Sequence, residues 1–325
     1  MASRETAVVA VDMGGSKIRA ALLDEAGGII FREDGSNTFD DGAENVVRRI
    51  KSAIRAVLKA AQAKGYEVQG IGISAAGQVD ARTGTIIGSC RLDSDWIGVE
   101  LAKLIIEEFN LPTKVDNDAN TAALGELIYG GGKGCSNLLC LTIGTGVGGG
   151  VIMDGQLYRG SRGCSAEFGH MSIDVNGVPC HCGHRGCLEL YASGTGIARL
   201  GQAAVSDGED SLLHKKAQAN SGVVTSELVF EAAKEGDALS MGVLEEVGRL
   251  LGTALTSLIH IFNPEVVLLN GGVSEQGQFF LDLVEKTVRK QTMPAFQVPV
   301  RLGALGPDAN LLGTAALIRD HLRKR

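Results

Sequence analysis

Apolar and polar positions along the chain switch between two periods, and the switches mark the elements. TAVVAVDMGG (6–15) is an apolar run entering a glycine turn, which predicts a buried strand. SKIRAALLD (16–24) and GGIIFRE (27–33) alternate as two further strands. The period then lengthens. Val46, Val47, Ile50, Ile54, Val57, Leu58 and Ala61 recur on one face of a helix over 43–65, which Gly65 closes. A strand VQGIGIS (68–74), a turn-rich stretch to Trp96, a helix over 98–109 and a short strand TKVD (113–116) follow. After NDAN (117–120) comes a helix rich in small residues.

The opening pattern then returns. LLCLTIGTGVGGGVIMDGQLYRG (138–160) is again strand, glycine turn, strand, turn, strand, and reads as an internal duplication. Two halves opening this way would each carry a phosphate-facing loop and clamp a nucleotide between them. A helical region runs from 192 to about 262, where Pro264 stops its last helix. VVLLNGG (266–272) is a buried strand into a glycine turn, 278–290 is helical, and NLLGTAALIRDHLRKR ends as a helix whose basic residues suit its dipole. Strands alternating with helices predict an α/β fold. With no low-complexity linker, its domains are expected to be joined by ordered elements, as in a hinge.

Composition narrows the partners. The 325 residues suffice for two domains. A net charge of −7 argues against nucleic acid, which needs a clustered basic face. No stretch approaches the roughly 20 apolar residues that cross a bilayer. The start of the chain lacks a signal-peptide pattern, so a cytoplasmic location without membrane partners is expected. In that reducing compartment the seven cysteines should be thiols or metal ligands.

Glycine, at 45 residues, is bunched after apolar runs, where backbone must approach a ligand. DMGGSK places Asp12 at a strand end, before Gly14, Gly15, Ser16 and Lys17. It matches neither GxxxxGK[ST] nor GxGxxG. It suits backbone N–H groups and a hydroxyl facing phosphate oxygens, with a carboxylate near Mg²⁺, although a plain hairpin turn would read the same. GTGVGGG (144–150) is the stronger signal, because so many glycines weaken a strand end unless something approaches closely. In NDAN, Asn117 and Asp118 sit where a strand becomes a helix; either is a usual N-cap, and beside the glycine loops Asp118 becomes a candidate base.

CHCGHRGC (180–187) holds three cysteines, and EFGH (167–170) adds His170 ten residues before the first of them. Cys180, Cys182, Cys187 and His170 form the Cys₃His set of a closed structural Zn²⁺ site, with Gly183 and Gly186 letting the loop curl. A redox cluster is the alternative, disfavoured without a C-x-x-C pair. His181 and His184 are expected to face solvent. Cys90, Cys135, Cys140 and Cys164 stand singly and are expected to be small buried apolar residues.

DMGGSK, NDAN, GTGVGGG, EFGH and CHCGHRGCLE, in this order, resemble the ROK family (repressor, open reading frame, kinase) of sugar kinases over nearly the whole chain. The resemblance implies an actin-like (ribonuclease H-like) duplicated fold with a cleft between two α/β domains. The smaller would be 1–117 plus about 308–325, the larger 118–307 with the zinc loop. It implies ATP, Mg²⁺ and one structural Zn²⁺, and a homodimer or homotetramer. Asp118 is similar to the family's catalytic base and Asn117 to its sugar-binding neighbour. Glu167, His170 and Glu189 match its sugar-hydroxyl contacts, with His170 also on zinc. Asp12, Gly14–Lys17 and Gly144, Thr145 and Gly146 match its phosphate and Mg²⁺ handling, and Gly271 and Gly272 its adenosine pocket.

Glucose phosphorylated at C6 is the first expectation for the substrate. The loop ISAAGQVD (73–80) with Gly77, implied to lie near the sugar's C2–C3 edge, lacks the Pro-Gly of many family glucokinases, and Arg91-Leu92 stand where those carry Asn-Leu before a Trp. Both segments look more like the family's N-acetylmannosamine kinases, so an N-acetylmannosamine or N-acetylglucosamine kinase is the alternative. A sugar-sensing repressor is disfavoured because the first strand begins near residue 6, leaving no room for a helix-turn-helix. An actin-like ATPase would have no use for the Cys₃His set.

Overall fold

The structure, a computed structural model, describes residues 5–88, 94–206 and 211–324. Cys90, Arg91 and Leu92 lie outside the described residues. The chain forms two compact units, Met1–Gly134 with Gly150–Ala166 and Pro307–Arg325, and Cys135–Gly149 with Glu167–Gly306.

The first unit opens with β1 (Thr6–Met13), β2 (Lys17–Asp24), β3 (Ile29–Ser36) and α1 (Ala43–Lys64). It continues through β4 (Glu67–Ala75), β5 (Gln78–Asp80), β6 (Thr85–Gly88), α2 (Leu101–Phe109), β7 (Thr113–Asn117) and α3 (Asp118–Tyr129). Its sheet runs β3-β2-β1-β4-β7, with β4 and β7 parallel to β1. Both faces are covered, which explains the unbroken apolar run of β1. Val9, Val11 and Met13 pack in one core with Ile50, Ile54 and Val57 of α1. Val8 and Ala10 join Leu311, Ala315 and Ile318 of the C-terminal helix Ala309–Arg323 in another.

The second unit contains β8 (Leu138–Ile143), the start of β9 (Val147–Met153), α4 (Glu189–Ala192), α5 (Gly194–Ser206), α6 (Leu212–Ala219) and α7 (Ser226–Lys234). It ends with α8 (Ala238–Phe262), β11 (Val266–Asn270), α9 (Gln278–Gln291) and β12 (Val300–Leu302), while β10 (Gln156–Leu157) precedes the cysteine loop. The C-terminal helix is α10. The second sheet runs β10-β9-β8-β11-β12, with β11 parallel to β8 and β12 parallel to β11. Position for position this repeats the first sheet, so the duplication read from two glycine turns extends to all five strands. The three-residue strands β5 and β12 are too short to show a period, and the sequence pattern did not announce them.

The units divide differently from the expected boundary at residue 117. The helix α3 belongs to the first unit, because it packs along α10. That contact needs Gly313, where an added Cβ would lie 1.7 Å from the Thr121 carbonyl oxygen. Residues 150–166 also join the first unit, with the chain crossing inside β9. Among the described residues no helix is long and apolar enough to cross a membrane.

Asp237 caps α8. Its Oδ2 accepts from the Ser240 amide at 2.9 Å and hydroxyl at 2.7 Å, and its Oδ1 from the Leu212 amide at 2.9 Å. Burial alone would raise this carboxyl, but the hydrogen bonds from Ser240, Leu212 and Leu213 outweigh it and hold the group below the usual carboxylate range. A depressed carboxyl stabilises the fold above its unfolded pKa and loses that contribution as pH falls through its folded value. Asp237→Ala should therefore cost about 1–2 kcal/mol at neutral pH. Thermal melts should show the gap to wild type narrowing below about pH 4; a gap constant down to pH 2 would contradict the assignment.

Candidate active site and metal centre

In the first unit the candidate residues line up along one edge of the sheet. Asp12 of β1 is in register with Ser74 of β4, and Ser74 with Asp116 of β7. All three strands are parallel and end there, the edge where open α/β sheets place their ligands. Asp12 is buried, and both its oxygens are engaged: Oδ2 accepts from Arg19 Nε at 3.0 Å and Nη2 at 2.5 Å, Oδ1 from Asn310 Nδ2 at 3.0 Å. The next turn is a true hairpin, with the Gly14 amide donating to the Lys17 carbonyl at 2.9 Å. Gly15, Ser16 and Lys17 are exposed, and nothing stands within 4 Å of a Cβ built on Gly15. The turn is a hairpin and also leaves space for a ligand above its backbone.

Two strands away, Asn117 caps α3. Its Oδ1 accepts from the Ala119 amide at 2.9 Å and the Asn120 amide at 3.3 Å. Its Nδ2 donates to the Gly77 carbonyl at 2.9 Å, binding the ISAAGQVD loop to the helix start. Trp96, fully buried, braces the same loop by donating from Nε1 to the Ala76 carbonyl at 3.3 Å. Asp118 is the first residue of α3 and half-buried, and its Oδ1 accepts from the Ala119 amide at 2.8 Å. Asn117 is thus a cap as well as a site candidate, and capping is what places the Asp118 carboxylate at the positive end of a helix.

The second unit repeats the arrangement. The loop Gly144–Gly146 follows β8, and Gly271–Gly272 follows β11, so both lie at the carboxyl edge of parallel strands. Gly144 is held from α5, whose Gly194 amide donates to its carbonyl at 2.8 Å, while Thr195 Oγ1 donates to the Thr145 carbonyl at 2.9 Å. Thr145, Gly271 and Gly272 are exposed.

The cysteine loop belongs to this unit too. The ligand atoms of His170, Cys180, Cys182 and Cys187 all lie within 4.8 Å of one another. Cys182 Sγ is 3.5 Å from Cys187 Sγ, and Cys180 Sγ is 3.8 Å from His170 Nδ1. A tetrahedral Zn²⁺ with Zn–S about 2.3 Å and Zn–N about 2.0 Å sets its ligand atoms roughly 3.5–3.8 Å apart, and a disulfide would need about 2 Å. The residues fit the ion. Gly186, at φ +64°, closes the loop where an added Cβ would meet the Asp174 carbonyl oxygen at 1.8 Å. In the protein alone, burial first and then the hydrogen bonds to Cys182 and Cys180 push the Cys187 thiol up to about 12.

Glu189, next but one to Cys187, is buried. Its Oε2 accepts from the Val147 amide at 2.9 Å, which joins the cysteine loop to the glycine turn before β9. Glu167 is exposed, and its carbonyl accepts from the His170 amide at 3.0 Å. His181 and His184 are exposed as expected, yet His181 reaches inward: Nδ1 lies 3.8 Å from Cys180 Sγ and Nε2 3.7 Å from Glu189 Oε1. Cys140 is buried as expected, whereas Cys135 and Cys164 are only half-buried, because both fall in connecting loops.

The ROK family profile matches residues 8–321. The chain belongs to the ROK family. It is 36% identical over 315 residues to a glucokinase of Halalkalibacterium halodurans, covering 96% of this chain and 94% of the relative. It is 30% identical over 314 residues to a xylose repressor of Caldicellulosiruptor bescii, covering 96% of this chain and 77% of that protein. Among solved structures, a ROK glucokinase from Streptomyces griseus in complex with glucose and AMPPNP superposes with TM-score 0.83 at 32% identity, covering 97% of this chain and 99% of that one. The fold is the actin-like fold of ROK sugar kinases. The sequence pattern overlooked Asp116 and Arg159, although the doubled acid of VDNDAN marks the first of them.

Proposed function

We propose that this chain is an ATP-dependent hexose kinase that transfers the γ-phosphoryl group of ATP to the C6 hydroxyl of glucose. The observation that carries the reading is full-length likeness to glucokinases, one of them solved with glucose and a nucleotide triphosphate analogue. Asp118 accepts the proton of the sugar's primary alcohol while the bond from that oxygen to the γ-phosphorus forms. The bond from that phosphorus to the β–γ bridging oxygen breaks, and ADP leaves. Asn117, Glu167, His170 and Glu189 bind and orient the sugar hydroxyls, with Gly77 contributing backbone. The backbone at Gly14–Lys17 and Gly144–Gly146 faces phosphate oxygens, and Gly271–Gly272 faces the adenosine. Mg²⁺ brought in with ATP would supply charge neutralisation at the phosphates, and Asp12, whose oxygens are held by Arg19 and Asn310, is the carboxylate that would face it. Zn²⁺ would be held by His170 Nδ1, Cys180, Cys182 and Cys187 as a structural brace, leaving His170 Nε2 for the sugar. A cytoplasmic homodimer or homotetramer is part of the same proposal.

A second reading, N-acetylmannosamine or N-acetylglucosamine kinase, rests on the Ala75-Ala76-Gly77 loop in place of Pro-Gly, tied to Asn117. Comparing kcat/KM for glucose, mannose, GlcNAc and ManNAc tests both. Glucose should lead by about tenfold or more, since a site built around hydroxyls rejects a sugar that leaves buried polar groups unpaired. A lead for either acetamido sugar would replace glucose. ADP release indifferent to every sugar would favour an actin-like ATPase, and sugar binding without ADP release a sugar-sensing protein.

A further inference from the structure

Asp116 is a fully buried carboxylate with four donors on two oxygens. Oδ1 accepts from the Asn117 amide at 2.8 Å and from Asn120 Nδ2 at 2.9 Å. Oδ2 accepts from Arg159 Nε and Nη2, each at 2.7 Å. Asp116 thereby fixes the backbone at Asn117 and the first turn of α3, while Arg159 reaches it from the segment after β10, 43 residues along the chain. Two features separate this from an ordinary ion pair. The Arg159 side chain keeps 32% of its surface exposed, so it joins a buried anion to the open edge of the sheet. And Asn120, 2% exposed, spends its amide nitrogen on Asp116 while its Oδ1 has no hydrogen-bond partner among the described residues. A buried bare acceptor is a cost that native proteins rarely carry without a reason.

We propose that Asp116 and Arg159 act as a positioning pair for Asn117 and Asp118: Arg159 holds Asp116, and Asp116 sets the angle at which α3 presents the two site residues. The proposal rests on the hexose kinase reading. Arg159 balances the buried charge and fills one oxygen with two N–H groups, leaving the other to order Asn117 and Asn120. Without the guanidinium the carboxylate is left buried and uncompensated, and it is free to turn toward other donors. The base then sits in the wrong place even if the fold is intact, and misplacement by about 1 Å costs on the order of 10²-fold in rate.

The test is Arg159→Ala, Arg159→Lys and Asp116→Asn, with kcat and KM for glucose and ATP, thermal midpoints, and glucose affinity from the fluorescence of Trp96, the sole tryptophan. Arg159→Ala should lose about 10- to 100-fold in kcat with an unchanged KM for ATP. Guanidinium ion at non-denaturing concentration should restore part of that loss. Arg159→Lys should fall between, since it keeps the charge but not the two-pronged donor. Adding Arg159→Ala to Asp116→Asn should cost little more, because the two residues act as one unit. Wild-type kcat in Arg159→Ala would overturn the proposal, as would a loss matching the unfolded fraction and untouched by guanidinium. A wild-type protein that neither phosphorylates nor binds a hexose overturns both this and the kinase reading, whereas an active wild type with an indifferent Arg159 overturns the pair alone.

Discussion

Asp118→Asn should lower kcat for glucose phosphorylation by about 10²- to 10⁴-fold, the contribution of a positioned general base, while glucose still binds. The substitution keeps the volume of the side chain and the acceptor that takes the Ala119 amide at 2.8 Å, so α3 retains its first turn. What it removes is the ability to take up the proton of the attacking alcohol. The Asn117 cap and its bond to Gly77 do not depend on the charge at 118, which is why binding survives. Steady-state kinetics together with Trp96 fluorescence separate the two effects. A kcat near the wild-type value would remove Asp118 from the chemistry; loss of glucose binding in step with kcat would make it a binding residue.

Cys182→Ser should give a protein depleted in zinc, with the KM for glucose raised about tenfold or more, the usual scale for disturbing the support of a site. The reasoning runs through the loop. Cys182 and Cys187 lie 3.5 Å apart, and Glu189 follows Cys187 by two residues while accepting from the Val147 amide at 2.9 Å. Loosening the thiol cluster therefore loosens Glu189 and His170, not the Asp118 helix, so binding of the sugar suffers first. Three neighbouring thiols, one of them pushed up to about 12 by burial, cannot all ionise without a cation. Zinc uptake by the stripped wild-type protein near pH 7 should accordingly release protons, measurable in weak buffer. Stoichiometric zinc and unchanged kinetics in Cys182→Ser would contradict the role given to the loop.

The site was legible where its signal is local. C-x-C-x4-C with a preceding histidine states a ligand set in consecutive residues, and the structure brings those four ligand atoms within 4.8 Å. Asn117 and Asp118 were visible because a strand ending in polar residues before a helix is a capping signal, and the glycine turns because they break apolar runs. Asp116 was passed over because in VDNDAN the capping pair draws attention: the doubled acid is visible, but nothing local says that the first of the two is buried.

The amino-acid sequence by itself determined the elements, the repeat of strand and glycine turn, and the residue types able to hold a metal or take a proton. These follow from periodicity and short-range spacing, which a chain cannot conceal. Only the tertiary structure decided that α3 goes with the first unit, through the close passage at Gly313, and that β9 divides between units. It alone joined Arg159 to Asp116 and Glu189 to Val147. Such pairings depend on strand order and helix packing, which bring together residues more than 40 positions apart, and no local pattern encodes which distant partner a buried charge will meet.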